Sequence, residues 1–135
     1  MILLDTDVVS HLLRRGGGPR LLPTLRQVPV WRQFISAISV GEILYGIERS
    51  GRHEETRARF EAEIIGRMQV LPFDLEAARV YAATKAELHR SGQPLDEPDL
   101  RIAAIALSRD LTVVTGNEAH FRRIVGLRVG NWLRE

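Results

Sequence analysis

Short apolar runs alternate along the chain with longer segments of helical periodicity. The apolar runs, which predict buried strands, cover residues 2–4, 34–36, 70–71 and 111–114, and residues 127–129 predict an edge strand. The segments between them predict helices at residues 7–14, 20–27, 39–49, 54–67, 75–91, 98–109 and 118–122. Strands that alternate with helices, without hairpin signals, are typical of an α/β fold with a mostly parallel sheet of four to five strands.

Polar residues mark several of the predicted helix ends. Ser39 and Glu42 have the spacing of a capping box, in which the serine caps the helix and the glutamate bonds back to it. Asp74 has the position of an N-cap for the long alanine-rich helix that ends near Gly92. In the helix 54–67, two ion pairs at i,i+4 spacing are expected, Glu55 with Arg59 and Glu63 with Arg67.

Two further segments differ in composition from the rest. Gly16, Gly17, Gly18 and Pro19 form a helix-breaking run, which predicts a mobile loop of the kind found beside functional sites. The helix 98–109 is apolar around most of its circumference, so we expect it at the centre of the molecule.

The length of 135 residues predicts one domain spanning residues 1–135. No apolar run approaches the roughly 18 residues needed to span a bilayer, and Asp5 follows the first strand too closely for a secretory signal. There is no cysteine, which excludes disulfides and thiolate metal sites. These features together predict a cytoplasmic protein.

The positive charge of the chain is almost entirely arginine. Of the 19 basic residues all but Lys85 are arginine, although the net charge is only +2. Arginine binds phosphate oxygens in bidentate fashion and suits a nucleic-acid partner. Codon bias in a GC-rich genome explains the same count equally well, so charge alone does not decide the function.

Acidic residues follow the predicted strands. Asp5 ends the first strand, Glu42 lies one turn into the helix after the second, Asp99 opens the central helix, and Asn117 and Glu118 follow the fourth strand. The carboxyl ends of parallel strands meet at one edge of a sheet. Two carboxylates about 5 Å apart repel by about 3 kcal/mol at an effective dielectric near 20, so several together favour a bound Mg²⁺ or Mn²⁺. Such a metal predicts phosphodiester hydrolysis.

Each acid also has an ordinary structural role available. Asp5 or Thr6 can cap the first helix, Glu42 fits the capping box with Ser39, and Asp96 can be the N-cap that precedes Asp99. Their joint placement at strand ends, which capping does not require, favours the metal site.

Four motifs in order resemble those of PIN domains, and with them the match covers essentially the whole chain. Residues 2–10 (ILLDTDVVS) resemble the opening motif, and residues 35–46 (ISAISVGEILYG) the second, in which the glutamate is a metal ligand. Residues 99–106 (DLRIAAIA) resemble the third, and residues 113–117 (VVTGN) with Phe121 the fourth. The ending GNW at 130–132 is also similar to a frequent one in the family.

The resemblance is strongest to the VapC toxins of bacterial toxin–antitoxin pairs. It implies an α/β/α sandwich, a homodimer, a VapB-type antitoxin partner, and an Mg²⁺- or Mn²⁺-dependent endoribonuclease that hydrolyses RNA with a metal-activated water. By their motif positions, Asp5, Glu42 and Asp99 take the roles of catalytic metal ligands.

The chain departs from the family pattern at two positions. Asp7 stands where asparagine is usual, and either adds charge to the site or caps the helix. Asn117 stands where aspartate is frequent, so the fourth acidic ligand stays open. Supporting roles are expected for a further set of residues: Thr6, Asn117, Asp96 and Glu118.

Two other functions compete with this interpretation. Asp5, Thr6 and Asp7 also fit the nucleophile motif of haloacid-dehalogenase-like phosphatases, but that function leaves Glu42 without a role and has only Lys85 as its lysine. The other alternative is a degenerate PIN-like binding module, in which the acids only cap helices.

The remaining candidate residues receive weaker interpretations. The histidines, among them His120, have no zinc-ligand spacing and are expected at the surface. Arg14 and Arg101 are candidates for holding RNA. A small-residue face predicts close helix packing or a dimer interface, and it consists of Ala78, Ala82 and Ala86.

Overall fold

Five short strands form one parallel sheet in the order β3-β2-β1-β4-β5. The computed structural model describes residues 1–15, 18–51 and 53–133. The strands are β1 (Ile2–Leu4), β2 (Gln33–Ser36), β3 (Gln69–Leu71), β4 (Thr112–Val114) and β5 (Val129–Gly130). The predicted parallel α/β fold is therefore confirmed, with β1 at the centre of the sheet.

Seven α-helices connect the strands within the described residues. They are α1 (Thr6–Arg15), α2 (Gly18–Arg26), α3 (Ala37–Ser50), α4 (His53–Phe60), α5 (Leu75–Arg90), α6 (Glu97–Ser108) and α7 (Glu118–Phe121). A 3₁₀ turn, Val30–Arg32, precedes β2. None of these helices is long and apolar enough to cross a membrane.

Alternate residues of each strand face opposite sides of the sheet, and each side has its own apolar core. Leu3 contributes to the core beneath α5, α6 and α7, whereas Ile2 and Leu4 contribute to the core beneath α1 to α4. Helices thus cover both faces, which is the expected α/β/α sandwich. The predicted central position of α6 is confirmed, because Leu100 and residues 102–106 are all buried.

The predicted starts of α3 and β5 are wrong. Helix α3 is capped by Ser36, whose Oγ accepts a hydrogen bond from the backbone N–H of Ser39 at 3.0 Å, so the capping box of Ser39 and Glu42 does not exist. β5 begins two residues later than predicted, because the N–H of Leu127 is held in a turn by the carbonyl of Ile124. The N-cap role of Asp74 is confirmed by its 2.9 Å bond from the N–H of Ala77.

The predicted helix 54–67 consists of α4 followed by a π-helical segment, Glu61–Ile65. The N–H of Gly66 donates to the carbonyl of Glu61, five residues back, at 2.8 Å. Arg59 pairs with Glu63 at 3.6 Å instead of with Glu55, and Arg57 pairs with Glu48. The i,i+4 pairs predicted for this helix are therefore wrong.

The predicted mobile loop is only partly covered by the structure. Gly16 and Gly17 lie outside the described residues, whereas Gly18 and Pro19 are the first residues of α2.

Candidate active site

Asp5 lies where the chain leaves β1, at the carboxyl edge of the sheet. Its side chain is only 4% exposed. The backbone N–H of Thr6 donates to Oδ1 at 2.8 Å, and the hydroxyl of Thr115, at the end of β4, donates to Oδ2 at 2.8 Å. The two bonds come from different strand ends and hold the carboxyl group in one orientation.

Burial and neighbouring charge make the ionised form of Asp5 costly. Burial raises the pKa of Asp5, the charge of Asp7 raises it further, and Asp99 adds a smaller effect in the same direction. The bonds from Thr115 and Thr6 act in the opposite direction, and the resulting pKa is about 7. The charges of Asp7 and Asp99 therefore lie close enough to Asp5 to raise its pKa, so the three carboxyl groups belong to one cluster.

Asp7, in the first turn of α1, belongs to the same cluster. Its Oδ2 accepts a hydrogen bond from the backbone N–H of Gly116 at 3.0 Å, while its Oδ1 is buried and has no hydrogen-bond partner. A Cβ at Gly116 would lie 2.8 Å from Asp7 Oδ2 and 2.7 Å from Leu133 Cδ1. Glycine thus lets the chain after β4 approach Asp7 closely, and a larger residue would displace the ends of the Asp7 and Leu133 side chains.

Glu42 joins the site through Thr6. The Oγ1 of Thr6 lies 2.7 Å from Glu42 Oε1 and 2.8 Å from Ser39 Oγ. Ser39 is fully buried and is held in turn by Ser36 at 3.3 Å. Because the early start of α3 places Glu42 in its second turn, the carboxylate contacts Thr6 and not the helix N-terminus.

Asp99 is paired with a histidine. It lies in the first turn of α6, and its Oδ2 is 3.3 Å from Nδ1 of His120 on α7. The amide Nδ2 of Asn117 is 3.2 Å from the same ring nitrogen. Burial raises the pKa of Asp99, the contact with His120 partly offsets this, and the charges of Asp96 and Asp7 raise it again.

The other predicted site residues have different surroundings. Asp96 is at the N-cap position of α6 but makes no side-chain capping bond, and it acts on Asp99 through its charge. Asn117 donates its backbone N–H to Thr115 Oγ1 at 2.9 Å. Glu118 is bound by Arg122 at 3.1 Å. The guanidinium of Arg101 lies over the ring of Tyr81, 5.8 Å from the ring centroid.

Sequence reasoning missed several functional contacts. His120, expected at the surface, keeps 36% of its side chain exposed, but it also contacts Asp99, which the expectation did not include. Thr115 and Ser39 are fully buried polar residues that bond to the site, although both lie within the recognised motifs. The signal available for Thr115 was a threonine directly after a buried strand.

The oxygen donors suit a hard divalent cation. Among the described side chains, no three histidine, aspartate or glutamate groups are already arranged around one point as a metal site. However, Mg²⁺ and Mn²⁺ commonly use only one or two protein carboxylates and keep several waters. The clustered charges of Asp5, Asp7 and Asp99, and the unpartnered buried Oδ1 of Asp7, are the features that a cation would relieve.

Comparisons with known proteins show which chains this one is similar to. Residues 2–127 match the family described as the PIN domain. The tRNA(fMet)-specific endonuclease VapC of Salmonella typhimurium is 42% identical over 130 residues, which cover 96% of each chain. The ribonuclease VapC2 of Haemophilus influenzae is 31% identical over 97% of each chain. In the crystal structure of DNA-bound VapBC from Salmonella typhimurium, a chain 35% identical to this one superposes with a TM-score of 0.89 over 97% of both chains.

Proposed function

This chain belongs to the PIN-domain family, and we propose that it is a divalent-metal-dependent endoribonuclease of the VapC type, the toxin of a toxin–antitoxin pair. The observation that carries the proposal is the convergence of Asp5, Asp7 and Asp99 at the carboxyl edge of the sheet, with Glu42 joined to them through Thr6. Membership of this family removes the haloacid-dehalogenase-like alternative.

Asp5, Asp99 and Glu42 are the side chains that would hold the cation, with Asp7 beside them. When bound, the cation lowers the pKa of a water and offsets charge that develops on the phosphoryl oxygens. Without it, the same carboxylates repel the RNA backbone, so the cation is expected to support substrate binding as well as cleavage.

The surrounding residues orient these carboxylates. Thr115 and the N–H of Thr6 each occupy one lone pair on an Asp5 oxygen, which leaves the other lone pairs free for the site. Thr6 ties Glu42 to the start of α1. A site on rigid elements keeps its reacting groups in place during the reaction, which is how preorganisation contributes to catalysis.

For the partners, we propose an RNA substrate and a VapB-type antitoxin, with transfer RNA as the first substrate to test. The support is the name of the Salmonella relative and the VapBC assembly of the superposed structure. The homodimer stays a prediction. On α5, Ala82 and Ala86 are exposed and Leu75 is 68% exposed, so this face is available for it; light scattering of the purified chain tests it.

The function is tested by RNA cleavage with purified, antitoxin-free protein in Mg²⁺, Mn²⁺ or EDTA. We expect cleavage that requires the metal and that is lost in Asp5→Asn. Asp110→Asn is the matched control, because Asp110 is an exposed acid paired with Arg128, and asparagine tolerates its positive φ of 57°.

Two results would contradict the proposal. Cleavage that persists in EDTA or in Asp5→Asn would remove the carboxylate site from the reaction. A folded wild type that neither binds metal nor cuts RNA would instead support the PIN-like binding module, in which the acids have only structural roles.

A further inference from the structure

The ring nitrogen Nδ1 of His120 has two neighbours with opposite requirements. The amide Nδ2 of Asn117, at 3.2 Å, is a donor and needs a lone pair on Nδ1. The carboxylate Oδ2 of Asp99, at 3.3 Å, is an acceptor and needs a proton on Nδ1. With the Asn117 amide in this orientation, one ring nitrogen cannot meet both requirements, and both distances exceed the usual hydrogen-bond optimum of about 2.9 Å.

A cation removes this conflict. It accepts lone pairs from both Nδ1 and Oδ2, while Asn117 can turn its amide to another partner. Two neighbouring ligand atoms on one octahedral cation, each about 2.1 Å from it, are about 3 Å apart. The 3.3 Å between Nδ1 and Oδ2 is close to that separation, so the two atoms need little movement to share one ion.

Two of the other candidates for a fourth ligand already have partners, since Glu118 is held by Arg122 and the Asn117 amide faces His120 itself. Asp96 makes no side-chain capping bond at the start of α6 and affects Asp99 through its charge. Of the histidines in the part of the chain that the structure describes, His120 is the one that contacts a carboxylate of the cluster.

We propose that His120 binds the divalent cation through Nδ1, and that this nitrogen makes the site prefer Mn²⁺ to Mg²⁺. The inference rests on the proposed function, because it assigns a further ligand to the same site. Carboxylate oxygens suit both Mg²⁺ and Mn²⁺. Mn²⁺ is a first-row transition-metal ion and binds an imidazole nitrogen more tightly than Mg²⁺ does. A ligand set of carboxylates with one imidazole therefore raises affinity for Mn²⁺ more than for Mg²⁺.

The direct test is electron spin-echo envelope modulation of the full-length protein loaded with Mn²⁺. A coordinated imidazole imposes ¹⁴N modulation on the Mn²⁺ echo, which we expect in the wild type and not in His120→Gln. His89→Gln is the matched control, because His89 is exposed on α5, outside the site. It should keep the modulation.

A titration measures the preference itself. The Kd for Mn²⁺ is obtained from the electron paramagnetic resonance signal of the free ion, and the Kd for Mg²⁺ from its displacement of Mn²⁺. Both constants are compared between the wild type, His120→Gln and His120→Asp. Loss of even an outer-sphere partner of a metal ligand costs roughly 10–100-fold in affinity, so His120→Gln should bind Mn²⁺ at least about tenfold more weakly. His120→Asp, which restores an oxygen ligand, should shift the preference towards Mg²⁺.

The outcomes separate the two proposals. A wild type that binds Mn²⁺ without ¹⁴N modulation, or a modulation unchanged in His120→Gln, would overturn the role of His120 and leave the ribonuclease function standing. A wild type that binds no Mn²⁺ would overturn both. If His120→Gln does not fold, the His120→Asp spectrum decides, since it too must lack the ¹⁴N modulation.

Discussion

At the scale of single residues, the surroundings of Asp5 disfavour its ionised form and so lower the stability of the folded protein. Its carboxyl group is buried beside Asp7 and Asp99, and among the described residues two hydrogen bonds compensate for this. Such an arrangement persists because the rest of the structure holds it, and it is expected where a ligand later offsets the charge.

The raised pKa of Asp5 predicts how stability changes with pH in the absence of metal. With a pKa of about 7 when folded and 3.8 when unfolded, the folded protein binds the extra proton between these values. The free energy of unfolding therefore falls as pH rises from about 4 to 7. At about 1.4 kcal/mol per pKa unit, the loss is at most about 4 kcal/mol.

Asp5→Asn should remove this dependence and be more stable than the wild type above pH 7. Urea unfolding in EDTA at pH 5 and pH 8 measures both effects. If the free energies of unfolding of the variant and the wild type differed by the same amount at both pH values, the pKa of Asp5 would not be raised.

Gly116 is a second single-residue test. In Gly116→Ala, the new Cβ would collide with Asp7 Oδ2 and with Leu133, so Asp7 must move. Overpacking of this kind costs about 1–3 kcal/mol, and the affinity for Mn²⁺ should fall with it. Gly46→Ala is the control, because a Cβ there meets nothing within 4 Å and alanine favours the helix by up to about 1 kcal/mol. Thermal unfolding measures the Tm and a titration measures the Kd for Mn²⁺. Equal values of both in Gly116→Ala and Gly46→Ala would contradict the prediction.

At the scale of elements, periodicity predicted the described helices and strands, and the errors lie at their ends. Helix α3 begins at Ala37 and not at Ser39, because Ser36 is available as a buried cap at the end of β2. The π-helical segment Glu61–Ile65 has no local signal, since a single π-helical turn is too short to show a periodicity of its own. Both features depend on what the element packs against.

Removal of the cap in Ser36→Ala should destabilise the protein by about 1 kcal/mol. It should also lower cleavage, because α3 carries both Ser39 and Glu42 into the site. The comparison is Ser108→Ala at the end of α6, whose hydroxyl only returns to the carbonyl of Ile105, and whose loss should cost less than about 0.5 kcal/mol. Urea unfolding of both variants makes the measurement. If Ser36→Ala proved as harmless as Ser108→Ala, Ser36 would not be the energetically important cap.

At the scale of the whole molecule, the sandwich gathers the ends of β1, β2 and β4 and the starts of α1 and α6 at one edge. Binding of the proposed cation at that edge would therefore stabilise the whole domain. The apolar cores on both faces of β1 make its end a fixed point, since β1 is the central strand.

Mn²⁺ should consequently raise the Tm of the wild type, and EDTA should reverse the change. At about 100 times the Kd, binding adds about 2.7 kcal/mol to the free energy of unfolding. The increase in Tm should be larger at pH 8 than at pH 5, because at pH 5 Asp5 holds a proton that competes with the cation. In Asp5→Asn the increase should be small. Differential scanning calorimetry would refute the linkage if the wild type and Asp5→Asn responded equally.

The amino-acid sequence by itself determined the order of elements, the parallel sheet, and the placement of acids at strand ends. These features follow from local periodicity, which is readable within ten or fifteen residues. Only the tertiary structure decided which groups face one another. Thr115 binds Asp5 across 110 residues, Gly116 binds Asp7 across 109, and His120 meets Asp99 across 21. Such contacts depend on how separate elements pack, and no local sequence pattern predicts them.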